Sequence, residues 1–227
     1  KTIGNIVYKP YIYNKSKLLP FVTGKLAVSK DNFIYSKEKS RITNKHSDNI
    51  THLLRYKNDS ILITSKTLNT DNPKLNCRIN GLSNFSPKRI ILDRNLVLNK
   101  KSYIFLTSTR KNTVVIYNKA SKKRIKMFKN KGIKLIKLPI NEKNYFNLNM
   151  VLKKIHSIGC RNLLVEGGKN LSSSFIKNKL FNEFYLLKSS KKLGSSGKLN
   201  VSIQLNQLSF KYKNKININS FTGNDLI

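Results

Sequence analysis

Short apolar runs rich in β-branched residues recur along the chain, separated by polar or glycine-containing stretches. FVTGKLAVS (21–29), SILIT (60–64), RIILD (89–93), SYIFL (102–106), TVVIY (113–117) and IKLIKL (133–138) each read as a strand. Between them the period changes. ITNKHSDNITHLLRYK (42–57) predicts a helix with Thr43 or Asn44 as N-cap and Ile50, Leu53 and Leu54 on one face. The lysine-rich stretch between Tyr117 and Ile133 predicts a second helix. LNMVLKKIHSIG (148–159) predicts a third, with Leu148, Val151, Leu152 and Ile155 on one face and Gly159 closing it. RNLLVEGG (161–168) reads as a strand entering a glycine turn, and NLSSSFIKNKL (170–180) as the following helix. EFYLL (183–187) and a stretch around Phe210–Ile218 complete the expected strands.

Strands alternating with helices predict an α/β domain around a mostly parallel sheet. The consecutive strands near 102–117 and the final strands are expected to add antiparallel edge strands. Residues 1–20, interrupted by Pro10 and Pro20, read as a lead-in or linker, and 21–227 as a single domain. KDNFIYSKEKSR (30–41) is expected to be a polar loop, KTLNTDNP (66–73) to end in an Asn-Pro turn, and KSSKKLGSSGK (188–198) to be a mobile low-complexity loop.

Composition narrows the function classes. A net charge of +35 suggests a polyanion partner. Lysine, asparagine and isoleucine are abundant in every segment, however, and only eight of the forty-five basic residues are arginine. Lysine is therefore background, and each arginine is the more informative choice. Evenly spread lysines without a nucleic-acid-binding signature argue against specific nucleic-acid recognition. Cys77 and Cys160 are too few for a disulfide framework or zinc knuckle, and the three histidines lack a metal-ligand pattern, so no metal is expected. No apolar run reaches membrane-spanning length and no signal peptide opens the chain, which suggests a reducing cytoplasm and no membrane partner.

Two motifs carry the chemistry. A strand followed by Gly167-Gly168 and a helix start is a phosphate-binding layout: glycines let the backbone approach, and free helix N–H groups favour an anion. Ser172, Ser173 and Ser174 could add hydroxyl donors, although a plain strand-to-helix turn explains the pattern equally. Glu166, beside that anion site, calls for a donor such as a heterocycle N–H or a sugar hydroxyl. The second motif is T-x-x-x-D-x-P-x-L-x-x-R from Thr67 to Arg78. Asp71 fits either a ligand contact or a structural Asx-turn. Arg78 and Arg55 flank the strand SILIT and offer bidentate forks for phosphate, against the alternative of a surface cation or a helix-end charge. Alternation puts Lys25 on a solvent face; in a cleft it would be a candidate proton donor.

FVTGKLAVSKDN (21–32), RITNKHSDNITHLLRYKNDSILITSKTLNTDNPKLNCR (41–78), PKRIILD (87–93) and NLLVEGGKNLSSSF (162–175) resemble, in order and spacing, the reductase domain of the bifunctional riboflavin-biosynthesis deaminase/reductase. The resemblance runs from about Pro20 to about Gly194. It implies a dihydrofolate-reductase-like three-layer α/β fold and a homodimer. It also implies NADPH-dependent reduction of the ribosyl side chain of 5-amino-6-(5-phosphoribosylamino)uracil, with a covalently linked amino-terminal deaminase domain in the full-length protein.

Carried over by position, Ala27, Thr67, Asp71 and the run Gly168, Lys169, Asn170, Leu171, Ser172, Ser173 and Ser174 would line the cofactor site. Arg55, Leu75, Arg78 and Glu166 would contact substrate, the arginines through its phosphate and Glu166 through the polar edge of pyrimidine or sugar. Lys25 would protonate the nitrogen or oxygen released as hydride arrives. The chain departs from the family where Arg41 replaces a cofactor-contacting tryptophan and Lys39 a substrate-contacting serine. Arg94 replaces a serine and could meet the NADPH 2′-phosphate; Asp31-Asn32 replaces Asp-Gly. Beyond the family reading, the alternatives are a basic nucleic-acid-binding protein and an inactive reductase copy.

Overall fold

Small and β-branched residues make Phe21–Val28 an extended strand, β1, buried from Phe21 to Gly24 and alternating half-buried and buried from Lys25 to Val28. The computed structural model describes residues 8–38 and 41–211, with side chains as far as 208. Lys39 therefore lies outside the described residues, as do Ser40 and residues 212–218 of the expected last strand. In chain order the elements are α1 (Lys9–Lys17), β1, β2 (Phe33–Ser36), α2 (Lys45–Lys57), β3 (Ser60–Thr64) and α3 (Ser65–Asp71). Next come β4 (Lys88–Leu92), α4 (Tyr103–Leu106), β5 (Thr113–Tyr117), α5 (Lys122–Asn130), β6 (Lys134–Lys137) and α6 (Leu148–Ser157). The series ends with β7 (Asn162–Val165), α7 (Lys169–Lys177), β8 (Glu183–Lys188), β9 (Gly197–Asn200) and α8 (Ser202–Lys211). Seven strands form one sheet in the order β6-β5-β4-β3-β7-β1-β8, and β2 with β9 forms a separate pair.

Two compact units are present, one from Lys1–Phe21 with Arg55–Leu164 and the other from Val22–Leu54 with Val165–Ile227. In the first, β3, β4, β5 and β6 pair in parallel, with Ile61 against Arg89, Ile90 against Val114 and Val115 against Leu135. Ile61, Leu62, Ile63, Ile90, Ile91, Val114, Val115 and Ile116 are all buried, the continuous apolar signature of strands covered on both faces. Asp59 joins the strand starts: its carbonyl accepts from Lys88 N–H, and its carboxylate from the N–H groups of Arg161 (2.7 Å) and Asn162 (3.0 Å).

SYIFL is not a strand but the short helix α4. The Ser102 hydroxyl accepts from Phe105 N–H at 3.3 Å and starts the turn, which buries Ile104 and sets Phe105 edge-to-face on Phe128 of α5. A run of four apolar residues has no period of its own, so the cap decided it. Pro10 likewise does not interrupt structure; it occupies the first turn of α1, where its missing N–H costs nothing.

In the second unit, β1 and β8 run parallel, with Thr23 opposite Glu183, Lys25 opposite Tyr185 and Ala27 opposite Leu187. On the other face, Leu26, Val28 and Val201 form a core covered by Ile34, Phe184, Leu186 and Leu205. Both segments read as loops contain a strand here, because FIYS of β2 pairs antiparallel with GKLN of β9. Antiparallel pairing is found in this separate two-stranded sheet and in an isolated Ile140–Phe146 bridge, whereas Thr113–Tyr117 pairs in parallel. Gly197 permits it, since a Cβ there would lie 2.4 Å from the Phe33 ring. Phe210, expected to open a final strand, belongs to α8.

Asp31 holds this arrangement together. Its carboxylate accepts from the Ser29 hydroxyl (2.6 Å) and from Leu193 N–H (3.1 Å) and Gly194 N–H (2.8 Å), while Asn32 supplies the left-handed turn at φ +64°. Burial pushes the Asp31 carboxyl up, but the three hydrogen bonds together outweigh it and bring its pKa down to about 2. A folded pKa below the ordinary 3.8 stabilises the fold at pH values above 3.8 and loses that contribution as pH falls towards 2. Asp31→Asn is therefore expected to cost about 1 kcal/mol at neutral pH, limited by solvent screening of a partly exposed carboxylate. Urea unfolding of both proteins at pH 7 and pH 3 checks this: the gap between them narrows at the lower pH.

Candidate active site

β7 ends at Val165, and the chain turns through Glu166, Gly167 and Gly168 into α7. Gly167 is required by packing, because a Cβ there would sit 2.8 Å from the Leu171 side chain. Gly168 is the N-cap and has no side chain to occupy the first N–H groups of α7. Lys169 is half-buried and Asn170 exposed in the first turn. Leu171 and Ser172 are buried, so they face the protein side of the helix. The Ser172 hydroxyl donates to Gly167 C=O (3.2 Å) and the Ser174 hydroxyl to Asn170 C=O (2.9 Å). Two of the three expected hydroxyl donors thus have their protons committed to the helix backbone, and half-buried Ser173 is the better-placed one. Glu166 is half-buried at the strand end, beside the positive end of the α7 dipole.

Lys25 is half-buried and lies, as alternation predicts, on the more open face of the Lys25–Val28 stretch. It shares a face of β1 with buried Thr23 and half-buried Ala27, and this face continues onto β8 through Glu183 and Tyr185. Thr23 donates to the Glu183 carboxylate at 2.9 Å. Burial, then the Glu183 charge, push the Tyr185 phenol up, so Tyr185 stands beside Lys25 as a neutral hydroxyl at physiological pH. Arg41 is drawn into an ion pair with Asp48 at 2.7 Å, in the first turn of α2, whose start is capped by Asn44 accepting from Ser47 N–H.

The first unit carries the remaining candidates. Thr64 caps α3 by accepting from Thr67 N–H (3.3 Å), and the two threonine hydroxyls lie 3.1 Å apart. Thr67 and Asp71 are one helical turn apart on α3, the former half-buried and the latter exposed at its end. Asn72 then takes a left-handed C-cap conformation, φ +42°. Leu75 is buried with φ +56°, a region that leucine rarely adopts. This bend presents Asn76: the Arg55 guanidinium donates to its carbonyl (3.2 Å), and the Arg78 guanidinium to its side-chain oxygen (3.1 Å). Arg55 is 8% exposed, while Arg78 is open to solvent. The two arginines singled out from sequence therefore meet at one residue, Asn76, which sequence reasoning passed over. A neutral amide gives no charge or periodicity signal to find it by.

After β4, buried Asp93 accepts from Val97 N–H (2.8 Å) and Leu98 N–H (2.7 Å) and closes a loop through Leu96, φ +52°. Arg124 of α5 donates to the Leu96 carbonyl from behind. The loop leaves Arg94 exposed, with its guanidinium donating to Asn144 C=O at 2.8 Å. Cys77 and Cys160 are buried free thiols. Among the described residues no group of three or more His, Cys, Asp or Glu could hold a metal ion, and no helix is long and apolar enough to cross a membrane.

The profile of the RibD C-terminal domain family matches residues 20–219. The riboflavin biosynthesis protein RibD of Aquifex aeolicus is 30% identical over 177 residues, which cover 77% of this chain and 48% of that protein. The 2,5-diamino-6-ribosylamino-4(3H)-pyrimidinone 5′-phosphate reductase of Debaryomyces hansenii is 30% identical over 181 residues, 69% of each chain. The solved structure of Acinetobacter baumannii RibD (form 2) superposes with a TM-score of 0.74 over 98% of this chain and 60% of that one; at 17% identity this likeness speaks for the fold. The chain spans about half the length of the RibD proteins that it matches. With the glycine turn, the Thr67–Arg78 block and both arginines inside the matched span, the chain belongs to the RibD C-terminal domain family.

Proposed function

We propose that this chain carries out NADPH-dependent reduction of the ribosyl side chain of 5-amino-6-(5-phosphoribosylamino)uracil in riboflavin biosynthesis. The observation that carries the reading is Glu166 set at the end of β7 directly before the bare N-terminus of α7. A helix start capped by glycine, with Lys169 in its first turn, has the donor set that a pyrophosphate needs. Thr67 and Asp71 offer a hydroxyl and a carboxylate on one turn of α3 for the ribose or nicotinamide portions, and Arg94 a guanidinium for a 2′-phosphate. When bound, the nicotinamide supplies the hydride.

The chain's own residues hold and protonate the substrate. Arg55 and Arg78 bind its 5′-phosphate, and Leu75 packs beside it. Glu166 accepts from an N–H or hydroxyl of the pyrimidine or sugar, which explains a carboxylate beside an anion site. Lys25 delivers the proton to the atom released at the reacting carbon. The reading extends to a cytoplasmic homodimer.

A second substrate is supported by the equal identity to the Debaryomyces hansenii reductase, whose name specifies a 2,5-diamino pyrimidinone. A 2-amino group in place of the 2-oxo group keeps an N–H for Glu166 to accept from, so the geometry of this carboxylate fits both.

Nucleotide binding tests the cofactor half of the proposal. Because the chain has no tryptophan, nicotinamide emission itself reports binding. We expect saturation with NADPH that survives raised salt, and weaker binding of NADH. A random oligonucleotide bound tightly at low salt and released at high salt, with no NADPH saturation, would replace the reductase by a charge-driven nucleic-acid binder.

A further inference from the structure

We infer that Asn76 is a positioning residue that sets the two guanidinium groups for a terminal phosphate. The inference rests on the proposed phosphorylated substrate. Two arginines that bring like charge to one loop repel each other, and an acceptor common to both offsets this. Asn76 is that acceptor, through its carbonyl to Arg55 (3.2 Å) and its side-chain oxygen to Arg78 (3.1 Å). Each bond uses one of the five N–H donors a guanidinium carries. The left-handed backbone of Leu75, buried at 2% exposure, turns Asn76 towards both. The next residue is also tied down: the Ser86 hydroxyl accepts from Cys77 N–H (3.1 Å) and itself donates to Ser83 C=O (2.7 Å). A neutral amide is the residue this task needs. A carboxylate would bind Arg78 more tightly but cancel the charge the phosphate requires, and an alanine would remove this acceptor from Arg78, which is exposed and has a long, mobile stem.

The test uses Asn76→Ala and Asn76→Asp in the 227-residue chain, with Arg78→Met as reference. Calorimetry reads the affinity for the phosphorylated pyrimidine substrate, for its phosphatase-treated form and for NADPH. We expect Asn76→Ala to weaken the phosphorylated form about tenfold, and Asn76→Asp to weaken it more, with dephosphorylated substrate and NADPH unchanged. A structural role alone would be rescued by Asp, which retains the acceptor, so Asn76→Asp binding as the parent chain does would overturn the inference. Arg78→Met losing phosphate discrimination while both Asn76 variants keep it would also overturn it and leave the proposed function standing. Arg78→Met and the Asn76 variants all binding both forms as the parent does would instead remove the phosphate assignment itself.

Discussion

Glu166→Gln is expected to weaken the phosphorylated pyrimidine roughly 30- to 150-fold while NADPH affinity stays within about twofold. Glutamine has the same shape and keeps one acceptor, but it presents an NH₂ where the second carboxylate oxygen stood. A hydrogen bond to a charged group contributes about 2–3 kcal/mol, and here a substrate donor would face another donor. Thermal unfolding separates this from a folding defect. Glu166 is half-buried near the positive end of α7, where the dipole contributes at most about 2 kcal/mol, so a modest fall in unfolding temperature is compatible with a specific loss of substrate affinity. Equal loss of both ligands would assign Glu166 to the cofactor instead.

Lys25→Met should lower kcat by about 10²- to 10³-fold with substrate KM little changed, because general acid catalysis acts on the transition state rather than on binding. Methionine preserves the half-buried aliphatic stem, so packing on β1 is retained. The neighbouring Tyr185, kept protonated by burial and by Glu183, can hydrogen-bond a lysine but does not replace its charge. Steady-state rates at saturating NADPH read the split. An unchanged kcat would return Lys25 to a packing role on its strand.

Those two residues also show what a sequence of this kind makes legible. Strand runs such as SILIT and TVVIY were readable because strands buried on both faces carry consecutive apolar β-formers at their centres, which leaves little room for another assignment. SYIFL has the same composition but is a helix, because the Ser102 cap and the contact with Phe128 outweigh local β preference. FIYS and GKLN were hidden for the opposite reason. Each is four residues long and set in lysine and serine, and the apolar contacts of Ile34 come from residues distant in sequence, in the cluster of Leu26, Val28 and Val201. In the site, the glycine turn and the arginines were visible because each uses a residue type that the composition otherwise avoids. The partners that position them were not: Asn76 is one asparagine among many, and Tyr185 reaches Lys25 only through a strand register 160 residues apart in sequence, as the matching Thr23–Glu183 bond shows. Arg41 illustrates the converse, since a residue placed by position at the cofactor is engaged by Asp48 in the first turn of α2.

The most direct measurement follows NADPH absorbance on mixing the chain with 5-amino-6-(5-phosphoribosylamino)uracil, beside its 2-amino counterpart and beside NADH. The account predicts substrate-dependent, saturable oxidation of NADPH, faster than that of NADH, with the ribityl product recovered. NADPH left unoxidised by either pyrimidine, in a chain that binds both nucleotide and substrate, would contradict it and identify a reductase fold that retains its ligands without their reaction.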